Sequence, residues 1–278
     1  MICAWQELLD VLPSWIRSEL KQINYKSITD IRLFLGQYPA IHGGKSVLFL
    51  SKRICEDDLK FCINTASAYS PWAASTIREG YLTAPGGHRM GICGTGVLKE
   101  REITGIREPT SICIRVAKDY PGIADQIPEF SGSILILGPP GSGKTTLLRD
   151  LIRHLKEPIC VVDEKGELFP RNSSGFIFDS GIYTHILTAI PKEQGIWLSL
   201  RNLGPKRIAL DEITAPDDCV AFQRCLWSGV QFITTIHASG IKELYARPDM
   251  KSLLEQGVFE QIIVMRQDRS WYMERIKI

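Results

Sequence analysis

Gly138-Pro139-Pro140-Gly141-Ser142-Gly143-Lys144-Thr145-Thr146 has the spacing G-x-x-x-x-G-K-[ST], and the chemistry it serves is phosphate capture. A phosphate needs many donors in little space. Glycines let consecutive backbone N–H groups converge on one point, and a helix that starts there adds its partial positive charge. Lys144 is expected at the β- and γ-phosphates and the Thr145 hydroxyl on Mg²⁺. The flanks satisfy the motif, with Ile134–Leu137 an apolar strand and Thr145–Leu155 a helical pattern. The nine residues 138–146 therefore read as a binding loop for a nucleoside triphosphate.

Other residues could complete such a site. Arg207-Ile208-Ala209-Leu210-Asp211-Glu212 is an apolar strand ending in two carboxylates. Asp211 is expected to hold Mg²⁺ through water and Glu212 to orient or polarise an attacking water. Glu212 is the preferred catalytic base because this strand is expected nearest the phosphate loop. Glu164, after Val161-Val162-Asp163, is either a second group positioning water or metal, or part of a solvated loop. His237 ends Phe232-Ile233-Thr234-Thr235-Ile236 and would sense the γ-phosphate. Arg201 either bridges acids or phosphate, or lies on the surface. Arg78, Arg89, Arg101, Arg107 and Arg115 include candidate arginine fingers for a neighbouring subunit, most of them being solvated strand positions. Asp163-x-x-Gly166 formally matches a GTPase metal motif, but it lies 18 residues past Thr145 and the chain has no N-K-x-D guanine reader.

Strands and helices must position these groups. From Ser133 onward, strands at Ile134–Leu137, Ile159–Val162, Ile208–Leu210 and Gln231–Ile236 alternate with helices at Thr145–Leu155, Lys192–Asn202 and Asp217–Trp227. That alternation predicts an α/β domain at 133–278 with a mostly parallel sheet, helices on both faces and the ligand at the strands' carboxyl ends. Ile262–Gln267 and Trp271–Ile278 predict a closing hairpin. Residues 1–117 predict a smaller α+β domain. It has an amphipathic helical segment broken at Pro13, short antiparallel strands over 28–50, and a helix at Asp57–Tyr69. A hairpin follows around Ala84-Pro85-Gly86-Gly87, then a strand at Ser111–Ala117. Residues 118–132, with Pro121, Gly122, Pro128 and Gly132, are expected as a linker that closes around ATP.

Composition narrows the class. A net charge of +2 over 278 residues, with no basic stripe bearing aromatics, argues against nucleic acid as a partner. The eight cysteines include no C-x-x-C pair, which suits reduced thiols in the cytosol rather than zinc or disulfides. No apolar stretch reaches membrane-spanning length. The six tryptophans are read as core or domain-interface residues. The N-terminal amphipathic segment packs on its own domain or, alternatively, docks on a membrane.

The phosphate loop, Asp163-Glu164, Asp211-Glu212 and Thr234-Thr235-Ile236-His237-Ala238 together resemble the type II and type IV secretion ATPases. Those proteins carry a Walker A, aspartate box, Walker B and histidine box in this order. Ile28-Thr29-Asp30-Ile31-Arg32-Leu33, Gly80-Tyr81-Leu82-Thr83, Gly86-Gly87-His88-Arg89-Met90-Gly91-Ile92 and Ser111-Ile112-Cys113-Ile114-Arg115-Val116-Ala117 resemble the stage III sporulation AA family of that superfamily. The resemblance implies a RecA-like ATPase core using ATP and Mg²⁺ and assembled as a hexameric ring. It further implies membrane-bound partners, at the mother-cell side of the channel to the forespore. Ile213-Thr214 replaces the Ile-Gly expected after the Walker B, and the box at Asp163 lacks a proline, so Glu164 and Glu212 both stand as candidates for the base. An ATP-dependent assembly scaffold, a small-molecule kinase and a nucleic-acid motor are the competing classes.

Overall fold

Pro13 divides the N-terminal segment into α1 (Trp5–Asp10) and α2 (Ser14–Leu20), because its ring removes a helical N–H and clashes with the preceding turn. The computed structural model describes residues 1–44, 46–68, 80–172 and 175–276. Arg78 and the expected helix end at Tyr69 lie outside the described residues. The chain forms two units, Met1–Lys118 with Pro170–Phe178, and Asp119–Phe169 with Asp179–Ile278.

The first unit is built on an antiparallel sheet of β1 (Ile28–Phe34), β2 (Ala40–Gly43), β3 (Ser46–Phe49), β4 (Tyr81–Ala84), β5 (His88–Lys99) and β6 (Glu102–Arg115), in the order β3-β2-β1-β6-β5-β4. Leu8 and Leu9 of α1, Leu12 of the connection, and Ile16 and Leu20 of α2 pack with Leu59 and Cys62 of α3 (Glu56–Ala68) on Ile31, Leu33, Met90, Ile112 and Ile114 of the sheet. The expected strand at Ser111–Ala117 is only the end of β6. Beyond Cys93 its partner β5 is exposed residue after residue, so no buried–exposed alternation marks the long β5–β6 arm in the sequence.

His88 is fully buried in this unit. Its Nδ1 accepts the Ala117 N–H at 3.0 Å, and Nε2 lies 2.8 Å from the Ala4 carbonyl, which fixes the neutral ring with the proton on Nε2. Burial pushes its pKa from 6.5 down to about 4, the Ala4 carbonyl opposing weakly. Between those pH values the unfolded chain binds a proton that the native chain refuses. This contribution to stability is therefore complete above the unfolded pKa and declines as pH falls towards the folded one. From pH 7.5 to pH 5 the free energy of urea unfolding is expected to drop by about 2 kcal/mol more in the wild type than in His88→Gln. Equal pH slopes in the two proteins would contradict this.

The second unit carries β7 (Ile134–Gly138), α4 (Lys144–His154), β8 (Ile159–Asp163), β11 (Thr184–Thr188), α5 (Lys192–Asn202), β12 (Arg207–Ile213), α6 (Pro216–Arg224), β13 (Gln231–His237), α7 (Ile241–Ala246), α8 (Pro248–Glu255), β14 (Gln261–Met265) and β15 (Trp271–Arg275). The short pair β9 (Arg171–Asn172) and β10 (Gly175–Phe176) belongs to the first unit. The sheet order is β11-β8-β12-β13-β7-β14-β15, parallel except for the β14–β15 hairpin. Leu135, Leu137, Leu210 and Ile236 share a core with Ile196, Phe222 and Leu253 of the helices. The alternate residues Ile134, Ile136 and Ala209 are just as buried, so the sheet is covered on both faces, as parallel sheets require. This is the expected α/β fold, with two corrections. The strand beside β7 on the Walker B side is β13, not β12, so the histidine rather than the carboxylates ends the strand nearest the phosphate loop. Trp227, expected in a core or domain interface, is 92 % exposed. Among the described residues no helix is long and apolar enough to cross a membrane.

The chain passes between the units at 118/119, 169/170 and 178/179, and two arginines of α4 bind the second-unit side of every crossing. Arg149 reaches the Asp119 carboxylate at 3.4 Å, the Leu168 carbonyl at 2.5 Å and the Glu167 carbonyl at 2.9 Å. Arg153 pairs with Asp119 and donates to the Asp179 carbonyl at 2.9 Å. From Asp119 onward the stretch expected as a linker is thus part of the second unit. Asp119 and Ala124 are buried, and the Ala124 N–H donates to Asp150 at 2.8 Å.

Candidate active site

The phosphate loop links β7 to α4, with Gly141 at φ +77° and Gly143, the residue before the helix, at φ +97°, a region in which side chains are strained. At Gly138 a Cβ would come within 2.7 Å of Ser142 Oγ and 2.8 Å of the Met265 carbonyl. The Ser142 hydroxyl is buried without a hydrogen-bond partner. Lys144 is 5 % exposed, and its Nζ donates to the Gly138 carbonyl at 2.9 Å and the Pro139 carbonyl at 3.1 Å. An orphaned hydroxyl and a cation resting on neutral acceptors fit a phosphate, which binds an ammonium more strongly than carbonyls do.

Three strand ends converge here. His237 at the end of β13 pairs in register with Gly138 at the end of β7. Lys144 Nζ lies 2.8 Å from His237 Nδ1, and His237 Nε2 lies 3.0 Å from Glu212 Oε1. A neutral imidazole with its proton on Nε2 satisfies both contacts, accepting from Lys144 and donating to Glu212. The β12–β13 ladder shifts register between Leu210 and Glu212, an irregularity of the kind that re-aims side chains. Thr235 Oγ1 fixes the backbone there by donating to the Asp211 carbonyl at 2.7 Å.

Burial dominates the electrostatics. It pushes the Lys144 ammonium below the usual lysine range, with Glu212 and Asp211 opposing. It pushes the Asp211 carboxyl up to about 7, reinforced by the negative charges of Asp163 and Glu167. A carboxylate held in such a place gains from a cation; Asp211 and the Thr145 hydroxyl expected from the motif are each hard oxygen donors of the kind that could hold Mg²⁺. When bound, that ion would neutralise phosphate charge.

The other expected site residues make different contacts. Asp163 is fully buried, and its carboxylate accepts the N–H groups of Glu167, Leu168 and Phe169 at 2.9–3.0 Å; it shapes the loop after β8. Glu164 faces Lys192 at 3.5 Å. Arg201 is exposed, its guanidinium 5.7 Å from the Trp197 ring centroid. In the first unit Arg89 lies over the Tyr81 ring at 4.1 Å and is the cross-strand partner of Arg115. Arg101 occupies the β5–β6 turn at φ +70°, and Arg107 is exposed on β6. Two residues escaped the sequence reading. Lys192 is buried at the start of α5, and Arg247 donates to the His237 carbonyl at 3.0 Å and pairs with Glu243. Neither sits in a motif; the only sequence signal is a cation beside a proline at a helix start.

Stage III sporulation protein AA of Bacillus subtilis (strain 168) is 29% identical over 280 residues, covering 92% of this chain and 89% of that protein. The X-ray structure of the Legionella pneumophila ATPase DotB aligns with 95% of this chain and 80% of its own at TM-score 0.58 and 20% identity. The pilus retraction motor PilT, solved with ADP, aligns with 90% of this chain and 76% of its own at TM-score 0.59 and 14% identity. At such identities the likeness carries the fold alone, a RecA-like α/β core preceded by a smaller α+β domain. The family model described as sporulation stage III, protein AA matches residues 4–272, and the chain belongs to that family.

Proposed function

We propose that this chain is a Mg²⁺-dependent ATPase that works as a ring motor, a hexamer, on a secretion-like membrane complex. It powers assembly of, or transport through, the mother cell–forespore channel of sporulation. The protein is cytoplasmic, on the mother-cell side, and meets the membrane through its partners. The observation that carries the reading is the chain of contacts Lys144–His237–Glu212, at 2.8 and 3.0 Å. It joins the phosphate loop to a carboxylate able to polarise water, through a group able to register whether phosphate has drawn Lys144 away. The ADP held by PilT supports an adenine nucleotide.

ATP turnover per subunit is expected to rise steeply with protein concentration, with Lys144→Ala as the blank, because arginines of a neighbouring subunit complete the site. A concentration-independent rate would overturn the ring. Absence of turnover above the blank, alone and with the membrane partners, would leave the assembly scaffold as the better reading.

A further inference from the structure

We infer that Lys192 is a positioning residue, setting the spacing of the two carboxylates Glu164 and Glu212. The inference rests on the hydrolytic reading above and deepens it.

Lys192 is 7 % exposed, a rare condition for a lysine without partners. Its Nζ donates to Thr214 Oγ1 at 3.1 Å and to Asp218 Oδ2 at 3.0 Å, and lies 3.5 Å from Glu164 Oε2. Those groups come from the segments that follow two strands. Glu164 follows β8, whereas Thr214 and Asp218 follow β12, the strand bearing Asp211 and Glu212. Since β8 and β12 are neighbours in the sheet, one buried ammonium ties together the two strand ends that carry the candidate water-handling acids.

The Asp218 side does not need the lysine. Asp218 Oδ2 already accepts the N–H groups of Thr214 and Ala215 at 2.8 and 3.1 Å and the Thr214 hydroxyl at 3.1 Å, which caps α6. Glu164 differs. Its own loop is locked by the Asp163 carboxylate through three backbone donors, so its backbone is fixed while its side chain is about one-third exposed. The remaining freedom is where that carboxylate points, and Lys192 is the cation facing it. A carboxylate displaced by about an ångström from its working position can cost a factor of about a hundred in rate.

The test compares Lys192→Gln, Glu164→Gln and the double variant in the full chain, reading kcat and KM for MgATP together with the urea midpoint. Glutamine is one bond shorter and uncharged, so it offers Glu164 no cation, while Asp218 keeps the Thr214 and Ala215 donors. Lys192→Gln is expected to lower kcat about 10- to 100-fold with KM within a few-fold. In the Glu164→Gln background the same change should have little further effect, and Lys192→Arg should recover part of the rate. Effects that multiply in the double variant, or a lowered midpoint with kcat intact, would reduce Lys192 to a structural cation and overturn the inference. A wild type with no turnover above Lys144→Ala, alone and with the membrane partners, overturns the hydrolytic reading and this one together; a wild type that turns over beside an unimpaired Lys192→Gln overturns this one alone.

Discussion

Arg149→Met is expected to cost about 3 kcal/mol of folding stability, the low end of the range for removing one partner of a buried ion pair, because Asp119 keeps its pair with Arg153. The side chains of Arg149 and Asp119 are 4 % and 0 % exposed, so little water would enter to replace the guanidinium. Burial works against its charge, and Asp119 is the main group that holds it. The Leu168 and Glu167 carbonyls would each lose a donor as well, adding the cost of unsatisfied acceptors. Methionine keeps much of the arginine stem's volume, so the loss reports charge and hydrogen bonding rather than a cavity. Arg149→Lys should fall between, keeping the charge without the planar fork that reaches three partners. Urea unfolding gives the magnitude and amide hydrogen exchange the location. Protection should fall first over 119–127 and 167–169, beside the crossings that Arg149 holds, while β7, β12 and β13 stay protected. A loss below about 1 kcal/mol would place this pair with ordinary surface ion pairs.

Residues whose type is dictated by chemistry could be read directly. The loop 138–146, the acids at 211 and 212 and the histidine at 237 announced themselves because glycine, lysine and strand-end carboxylates have few other reasons to stand in that order. Their relative placement could not be read. Sheet order depends on which crossover packs where, and nothing in 207–237 states that β13 lies between β12 and β7. β11 was invisible because Thr184–Thr188 is a partly exposed edge strand without an apolar run. The segment 241–255 yielded two helices, α7 and α8, broken at Arg247-Pro248, too short for their periodicity to stand out. Asp163 shows the commonest trap. A strand-end carboxylate looks the same in sequence whether it handles a metal or, as here, takes three backbone N–H groups. The Pro170–Phe178 excursion into the first unit is set by tertiary contacts that no local pattern records.

Glu212→Gln is expected to lower ATP turnover by about 10²–10⁴-fold, the usual contribution of a positioned general base, while ATP affinity changes only a few-fold. The amide can still accept the His237 Nε2–H across 3.0 Å but cannot take a proton from water. Lys144 and the loop would be unaltered, so a fluorescent ATP analogue should bind nearly as before. Glu164→Gln is expected to do less, because Glu164 meets Lys192 rather than the Lys144–His237 pair. The order of the two effects decides the assignment. Should Glu164→Gln be the more damaging, the base is the acid after β8, and Glu212 becomes the acceptor that holds His237 in its Nε2–H tautomer. His237→Ala then separates the roles once more. If Glu212 works through proton transfer alone, losing the imidazole leaves the carboxylate in place and a substantial rate survives; if Glu212 serves only to hold the ring, Glu212→Gln should be nearly silent because its amide oxygen still accepts the Nε2–H, whereas His237→Ala and Glu212→Ala should be equally damaging and the double alanine variant no worse than either.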